Sequence, residues 1–163
     1  MELIRIGKIV NTHGIKGEIR IISKFPYKDK VFIKDMPIYI EKTNKEIINS
    51  YRVHKNFDMI TLVGYNNIND VLKYKGKNVY INKEDIKLDK DKYLDDDFIG
   101  LEVIYNDSSR GLITNIERYD KVSLIVVKSN DKEYLLPYNE NIIDKIDIDN
   151  KKIYIKNIDG LFK

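Results

Sequence analysis

The sequence contains no cysteine among its 163 residues, and only two histidines. The absence of cysteine excludes disulfide bonds and thiolate metal sites, and it fits a reducing compartment. His13 and His54 lie far apart in the sequence and form no HxxxH pair. Since the usual nitrogen and sulfur ligands are scarce, we expect no metal ion and no other cofactor.

Long apolar runs are also absent. The longest runs, such as residues 124–127, fall far short of the ~20 residues that a membrane-spanning helix needs. Glu2, Arg5 and Lys8 interrupt the apolar N-terminus, which therefore lacks the core of a signal peptide. We expect a cytoplasmic protein without a membrane partner.

Charge is distributed unevenly along the chain. Residues 1–82 carry fifteen Lys and Arg against eight Asp and Glu, a net charge of +7. Residues 83–163 carry fourteen against eighteen, a net charge of −4, of which residues 83–97 alone contribute −3. This asymmetry predicts a basic first half and an acidic connector with different partners, and phosphate is the natural partner of the basic half.

Short strands dominate the hydrophobic pattern, and one helix is predicted at residues 67–76, where Asn67 can cap the start and Gly76 can end it. Short, evenly spaced strands are typical of small barrels or sandwiches. The predicted domains are residues 1–82, a charged connector at 83–97, and residues 98–163. The predicted strands are 3–10, 17–23, 38–40, 51–54, 59–63, 78–81, 101–105, 112–117, 124–128, 133–137, 142–148 and 153–155.

The stretch "NTHGIKGEIRI", residues 11–21, joins the first two predicted strands. Its GxxG pattern also occurs in KH domains, but there the loop lies between helices. A tight corner explains Gly14 and Gly17, with His13 or Glu18 hydrogen-bonded to the turn. A turn does not require basic residues, and those of this hairpin are candidates for phosphate contacts. They are Lys8, Lys16, Arg20 and Lys24.

Catalytic motifs are weak. Thr12 precedes His13, but neighbouring strand residues point to opposite faces, so the two do not form a nucleophile and its base. The acidic run at residues 95–97 is typical of a solvated surface. We therefore expect no catalytic residues, although an RNA-processing enzyme remains an alternative.

Three motifs occur in order along the chain: "IGKIVNTHGIKGEIRI", "DDDFIGLEVI" and "YLLPYNENIIDKIDIDNKKIYI…DGLF". Together they resemble the RimM family of bacterial ribosome maturation factors. The resemblance implies an all-β protein with two small β-barrels. The first would be like the barrels of translation factors and would hold the one short helix, and the second would be a PRC-type barrel.

The resemblance also implies a task without catalysis. Such factors bind the immature small ribosomal subunit and its ribosomal RNA, and they help the head of the subunit fold. A head protein of that subunit, numbered nineteen, would bind largely to the PRC half. We expect a monomer, and a regulatory adaptor with a non-ribosomal partner remains an alternative.

The family turn matches His13, which joins the candidates for RNA contact, while Thr12 stands where the family usually has proline. The family also commonly has two adjacent tyrosines, Trp and His before an aspartate, whereas this chain has Tyr93 followed by Leu, Asp and Asp. The candidates for the ribosomal-protein contact are Tyr93, Leu94, Asp97, Pro137 and Tyr138. Residues 98, 99 and 101 are expected in the core.

Overall fold

The computed structural model describes residues 1–162, which divide into two compact units, Met1–Asp89 and a second unit that begins at Lys90. Each unit has its own sheet and its own hydrophobic core. The predicted boundaries at 82 and 97 stay a prediction. None of the described helices is long and apolar enough to cross a membrane.

The first unit is a closed barrel of six strands in the order β1-β2-β5-β4-β3-β6, with every neighbouring pair antiparallel. Buried and outward-pointing side chains alternate along the strands. On β2, for example, Ile19 and Ile21 are fully buried, while Arg20 between them points outward. The strands are β1 (Leu3–His13), β2 (Glu18–Ile22), β3 (Pro37–Ile40), β4 (Asn44–His54), β5 (Phe57–Leu62) and β6 (Asn78–Asn82).

Two single-turn helices accompany this barrel. The predicted helix is present as α2 (Ile68–Val71) and continues into a 3-10 turn, Leu72–Tyr74. Asn67 caps it, because its side chain accepts a hydrogen bond from the backbone N–H of Asn69 at 2.9 Å. A further turn, α1 (Lys28–Val31), was not predicted, since four residues are too few to show a helical period.

One buried carboxylate ties α1 to the barrel. Asp58 on β5 is only 2% exposed. The hydroxyl of Tyr51 donates to its Oδ1 at 2.6 Å, and Lys28 Nζ of α1 lies 2.9 Å from its Oδ2. A buried carboxylate is tolerated only with such partners, and the contact from Lys28 holds α1 against the barrel. Burial and the hydrogen bond to Asp58 raise the pKa of the Tyr51 hydroxyl.

The second unit is a six-stranded sheet in the order β10-β9-β8-β7-β12-β11. All its neighbouring pairs are antiparallel except β12 and β7, which run parallel. A helical turn, α3 (Asp95–Phe98), precedes the sheet. The strands are β7 (Glu102–Tyr105), β8 (Ser108–Arg118), β9 (Ser123–Ser129), β10 (Lys132–Pro137), β11 (Ile143–Asp147) and β12 (Lys152–Ile155).

The all-β fold with two sheet domains is confirmed, and the differences lie at strand ends. β4 begins at Asn44 rather than at 51, and β8 begins at Ser108 rather than at 112. The turn before β8 needs only Asn106 and Asp107, both with positive φ, which is the geometry of a two-residue hairpin. Ile99 was expected in the core but is 44% exposed, unlike its neighbour Phe98 at 1%.

Candidate functional site

The turn between β1 and β2 is held against the start of α2. The backbone N–H of Ile68 donates to the carbonyl of Ile15 at 2.9 Å. Gly14 and Gly17 both have positive φ, +68° and +91°. At Gly17 an added Cβ would lie 3.0 Å from the Tyr65 carbonyl oxygen, whereas at Gly14 it would meet open space. Both positions therefore favour glycine because of their positive φ, and Gly17 also lets the turn lie close to the backbone of Tyr65.

Beside this turn, side chains of four strands, β1, β2, β4 and β5, meet on the outer face of the barrel. Met59 of β5 is the register partner of Arg20 on β2 and of Arg52 on β4. Although it points away from the core residues Ile19 and Ile60, Met59 is fully buried. Larger side chains on this face must cover it. We call this group the arginine–histidine cluster; its members are His13, Glu18, Arg20, Arg52, His54 and Phe57.

The acid of the arginine–histidine cluster is neutralised within it. Arg52 donates two hydrogen bonds to Glu18, Nε to Oε2 at 2.9 Å and Nη2 to Oε1 at 2.7 Å. This bidentate contact lowers the pKa of the Glu18 carboxyl, against the opposing effect of burial. The same contact raises the pKa of Arg52. Glu18 therefore remains a carboxylate that is committed to Arg52.

Arg20 has no such carboxylate: it forms no ion pair with any residue that the structure describes. Its Nη2 lies 3.1 Å from Nδ1 of His13, and its guanidinium carbon lies 4.8 Å from the ring centre of Phe57. Its Nε is buried and has no hydrogen-bond partner among the described residues. Arg20 is thus held in place by the rings of His13 and Phe57, and no described carboxylate is paired with its charge.

The two histidines, which the sequence places far apart, lie side by side in the structure. Their ring centres are 5.3 Å apart with 53° between the ring planes. Burial lowers the pKa of His54 first, and Arg52 and His13 lower it further. A guanidinium can only donate, so His13 accepts at Nδ1. Within residues 1–162, no group of three or more His, Cys, Asp or Glu could hold a metal ion.

The prediction that His13 or Glu18 hydrogen-bonds within the turn was wrong. His13 bonds instead to Arg20 on the neighbouring strand β2, and Glu18 on β2 bonds across β5 to Arg52 on β4. A groove of about 410 Å³ lies beside the turn. Ile15, with 77% of its surface exposed, provides an apolar wall. The groove is lined by His13, Gly14, Ile15, Lys16, Glu18 and Thr61.

The structure brings only some of the predicted RNA-contact residues together. His13, Lys16 and Arg20 lie at or beside the turn. Lys8 pairs with Ile22 at the other end of the hairpin, and the exposed Lys24 follows that end. Lys8 and Lys24 therefore lie outside the arginine–histidine cluster.

Sequence reasoning missed the contribution of β4 and β5, namely Arg52, His54 and Phe57. These strands meet in a hairpin whose two turn residues, Lys55 and Asn56, have positive φ. The predicted strands 51–54 and 59–63 were separated by a short polar loop, which is the available signal for this hairpin.

The predicted ribosomal-protein contact lies in the second unit, around an aromatic group. The ring of Phe98 lies edge-on to Tyr93 and Tyr138, with ring centres 6.0 Å and 5.4 Å away. The guanidinium of Arg118 lies 4.7 Å from the ring centre of Tyr138. The Nε of Arg118 donates a hydrogen bond to Asp95 at 3.0 Å. Asp95, the first residue of the acidic run 95–97, therefore holds the Arg118 guanidinium over the Tyr138 ring.

The other candidates in this unit differ in exposure. Leu94 is buried at 4% exposure, so it offers a partner little surface, and a contact there stays a prediction. Asp97 accepts the backbone N–H of Leu94 at 2.9 Å and thereby caps α3. Pro137 ends the edge strand β10, and with Tyr138 it lines a groove of about 380 Å³.

Two family models match the chain. The model for the RimM N-terminal domain matches residues 4–86, and the model for the RimM PRC barrel domain matches residues 95–161. The matches cover both units in chain order.

Curated relatives match along nearly the whole length. A protein of Staphylococcus haemolyticus named ribosome maturation factor RimM is 41% identical over 97% of this chain and 98% of its own. The protein of the same name from Staphylococcus aureus strain bovine RF122 is 37% identical over the same shares. A RimM crystal structure from Pseudomonas aeruginosa is 23% identical and covers 98% of this chain and 99% of that one, with a TM-score of 0.46.

Proposed function

The chain belongs to the RimM family of ribosome maturation factors, and from this premise we propose that it binds the immature small ribosomal subunit and helps its head to fold while the ribosomal RNA matures. A role in ribosome maturation follows from family membership, and the family acts in assembly without being enzymes. The chain needs no catalytic group for this task. In this proposal it acts as a monomer.

The RNA contact is assigned to the first unit. The observation that supports it is Arg20, a cation without a carboxylate partner among residues 1–162. It contacts His13, which lines the same groove as the exposed Lys16. Glu18, the acid among the residues that line the groove, is already bound by Arg52. Phosphates that approach this face would therefore meet positive charge without an acid free to repel them.

The protein contact is assigned to the second unit. Tyr93, Asp97, Pro137 and Tyr138 are its proposed residues, and the partner is the head protein numbered nineteen. The aromatic group of Tyr93, Phe98 and Tyr138 supports this, because aromatic side chains dominate many interfaces.

Cosedimentation with purified small subunits tests the RNA assignment. The double variant Lys16→Gln, Arg20→Gln should bind immature subunits about tenfold more weakly than the wild type, with a shallower dependence on salt. Lys45→Gln is the matched control, because Lys45 is an exposed lysine near the start of β4, whereas His54 of the cluster ends that strand. Equal binding by the double variant and the control would contradict the RNA contact. Failure of the wild type to bind immature subunits would contradict the whole proposal and favour a non-ribosomal adaptor.

A further inference from the structure

We infer that the groove beside the Gly14–Gly17 turn binds a single unpaired nucleotide of RNA, with the base against Ile15 and its phosphates beside Lys16 and Arg20. This inference rests on the proposed function, since it specifies which form of RNA the first unit contacts. It adds a base-binding surface to what is otherwise a contact with phosphate alone.

The first support is the exposed Ile15 on a rigid turn. Ile15 is 77% exposed, yet its carbonyl is bonded to Ile68 and glycines with positive φ lie on both sides of the Ile15–Lys16 pair. An apolar side chain held this firmly in solvent contributes little to the core. It can contact the face of a base that is not stacked in a helix, whereas a duplex keeps its base faces covered.

The second support is the shape and lining of the groove. Its volume of about 410 Å³ falls in the range of sites for small ligands. Ile15 offers apolar surface, while His13 and Lys16 offer hydrogen-bond donors. A base needs apolar contact on its face and polar contact at its edge, and this lining supplies both.

The third support is the charge at the groove. Lys16 is exposed and forms no ion pair with any described residue. Arg20 likewise forms no ion pair with any residue of the described chain. His13 links the two, because it lines the groove and accepts from Arg20 at Nδ1, which leaves its Nε2–H as a donor. These cations can neutralise the phosphates that flank one nucleotide.

Fluorescence anisotropy with the full chain tests the inference. The probes are a labelled oligouridylate of about ten nucleotides and an RNA duplex of the same length, at one fixed salt concentration. Ile15→Ser should weaken binding of the single strand about fivefold and leave the duplex affinity unchanged. Lys16→Gln should weaken both, since a phosphate contact does not depend on strandedness. Lys45→Gln, the control from β4, should change neither by more than about twofold.

Three results would overturn the nucleotide site. One is wild-type binding of the single strand by Ile15→Ser. Another is an equal loss for single strand and duplex. The last is a loss of subunit cosedimentation by Ile15→Ser with no loss of oligonucleotide binding, which would assign Ile15 to a protein contact. In the first two cases the proposed function stands if the Lys16 and Arg20 double variant still loses subunit binding. Ile15 is exposed, so thermal unfolding of Ile15→Ser should match the wild type and exclude misfolding.

Discussion

Replacing Gly17 by alanine should destabilise the β1–β2 turn in two ways, through the positive φ at this position and through a steric clash of the new Cβ. Gly14 and Gly17 both have positive φ, so alanine at either site carries a backbone cost of ~1–2 kcal/mol. Only at Gly17 does the new Cβ also crowd backbone atoms, 3.0 Å from the Tyr65 oxygen and 3.2 Å from the Asn67 nitrogen. Relieving that contact must shift the turn or the start of α2, at a further ~1–3 kcal/mol.

Gly14→Ala is therefore the matched control for Gly17→Ala. Both substitutions reduce the entropy of the unfolded chain equally, so this term cancels in the comparison. For a unit of this size, each kcal/mol corresponds to a shift in Tm of ~4–8 °C. Calorimetry of the full chain should show the transition of the first unit about 5 °C lower for Gly14→Ala and about 15 °C lower for Gly17→Ala. Equal shifts would refute the argument from close approach.

Two further predictions concern ion pairs of the first unit. Lys28→Met should lower the free energy of unfolding by about 1–2 kcal/mol, because it removes the cation from the buried Asp58 carboxylate. Lys30→Met in the same helical turn should cost less than ~0.5 kcal/mol, since its contact with an exposed acid is 4.0 Å long. Equal costs in urea unfolding would contradict the role of Asp58. The second prediction is a pH dependence of Glu18, whose pKa in the folded state is below its ordinary value of 4.5. Its contribution to stability is therefore present above pH 4.5 and lost as the pH falls through the folded pKa. The difference in unfolding free energy between the wild type and Glu18→Gln should be constant near neutral pH and shrink below pH 4.5. A difference that grows on acidification would show the opposite linkage.

Local pattern predicted most of the fold. Every predicted strand overlaps an observed one, because alternation or short apolar runs mark a buried face. The helix at Asn67 was readable because a capping side chain acts on the nearest backbone N–H groups. The first half of β4, "NKEIINS", was missed because five of its seven residues are polar and four are exposed. Pairing with β3 and β5 keeps it extended.

The residues of the candidate site also fall into two groups, those that the sequence predicted and those that only the tertiary structure revealed. The sequence by itself determined the turn, its glycines and its basic residues, since these depend on neighbours along the chain. Only the tertiary structure decided that Arg52, His54 and Phe57 join Arg20 and His13, because that depends on the pairing of β2 with β5 and of β5 with β4. The pairing of β2 with β5 links residues more than thirty positions apart, such as Arg20 and Met59, and the contact of Arg52 with Glu18 spans 34 positions. Their energies are set by the register of the closed barrel, which no short stretch of sequence contains.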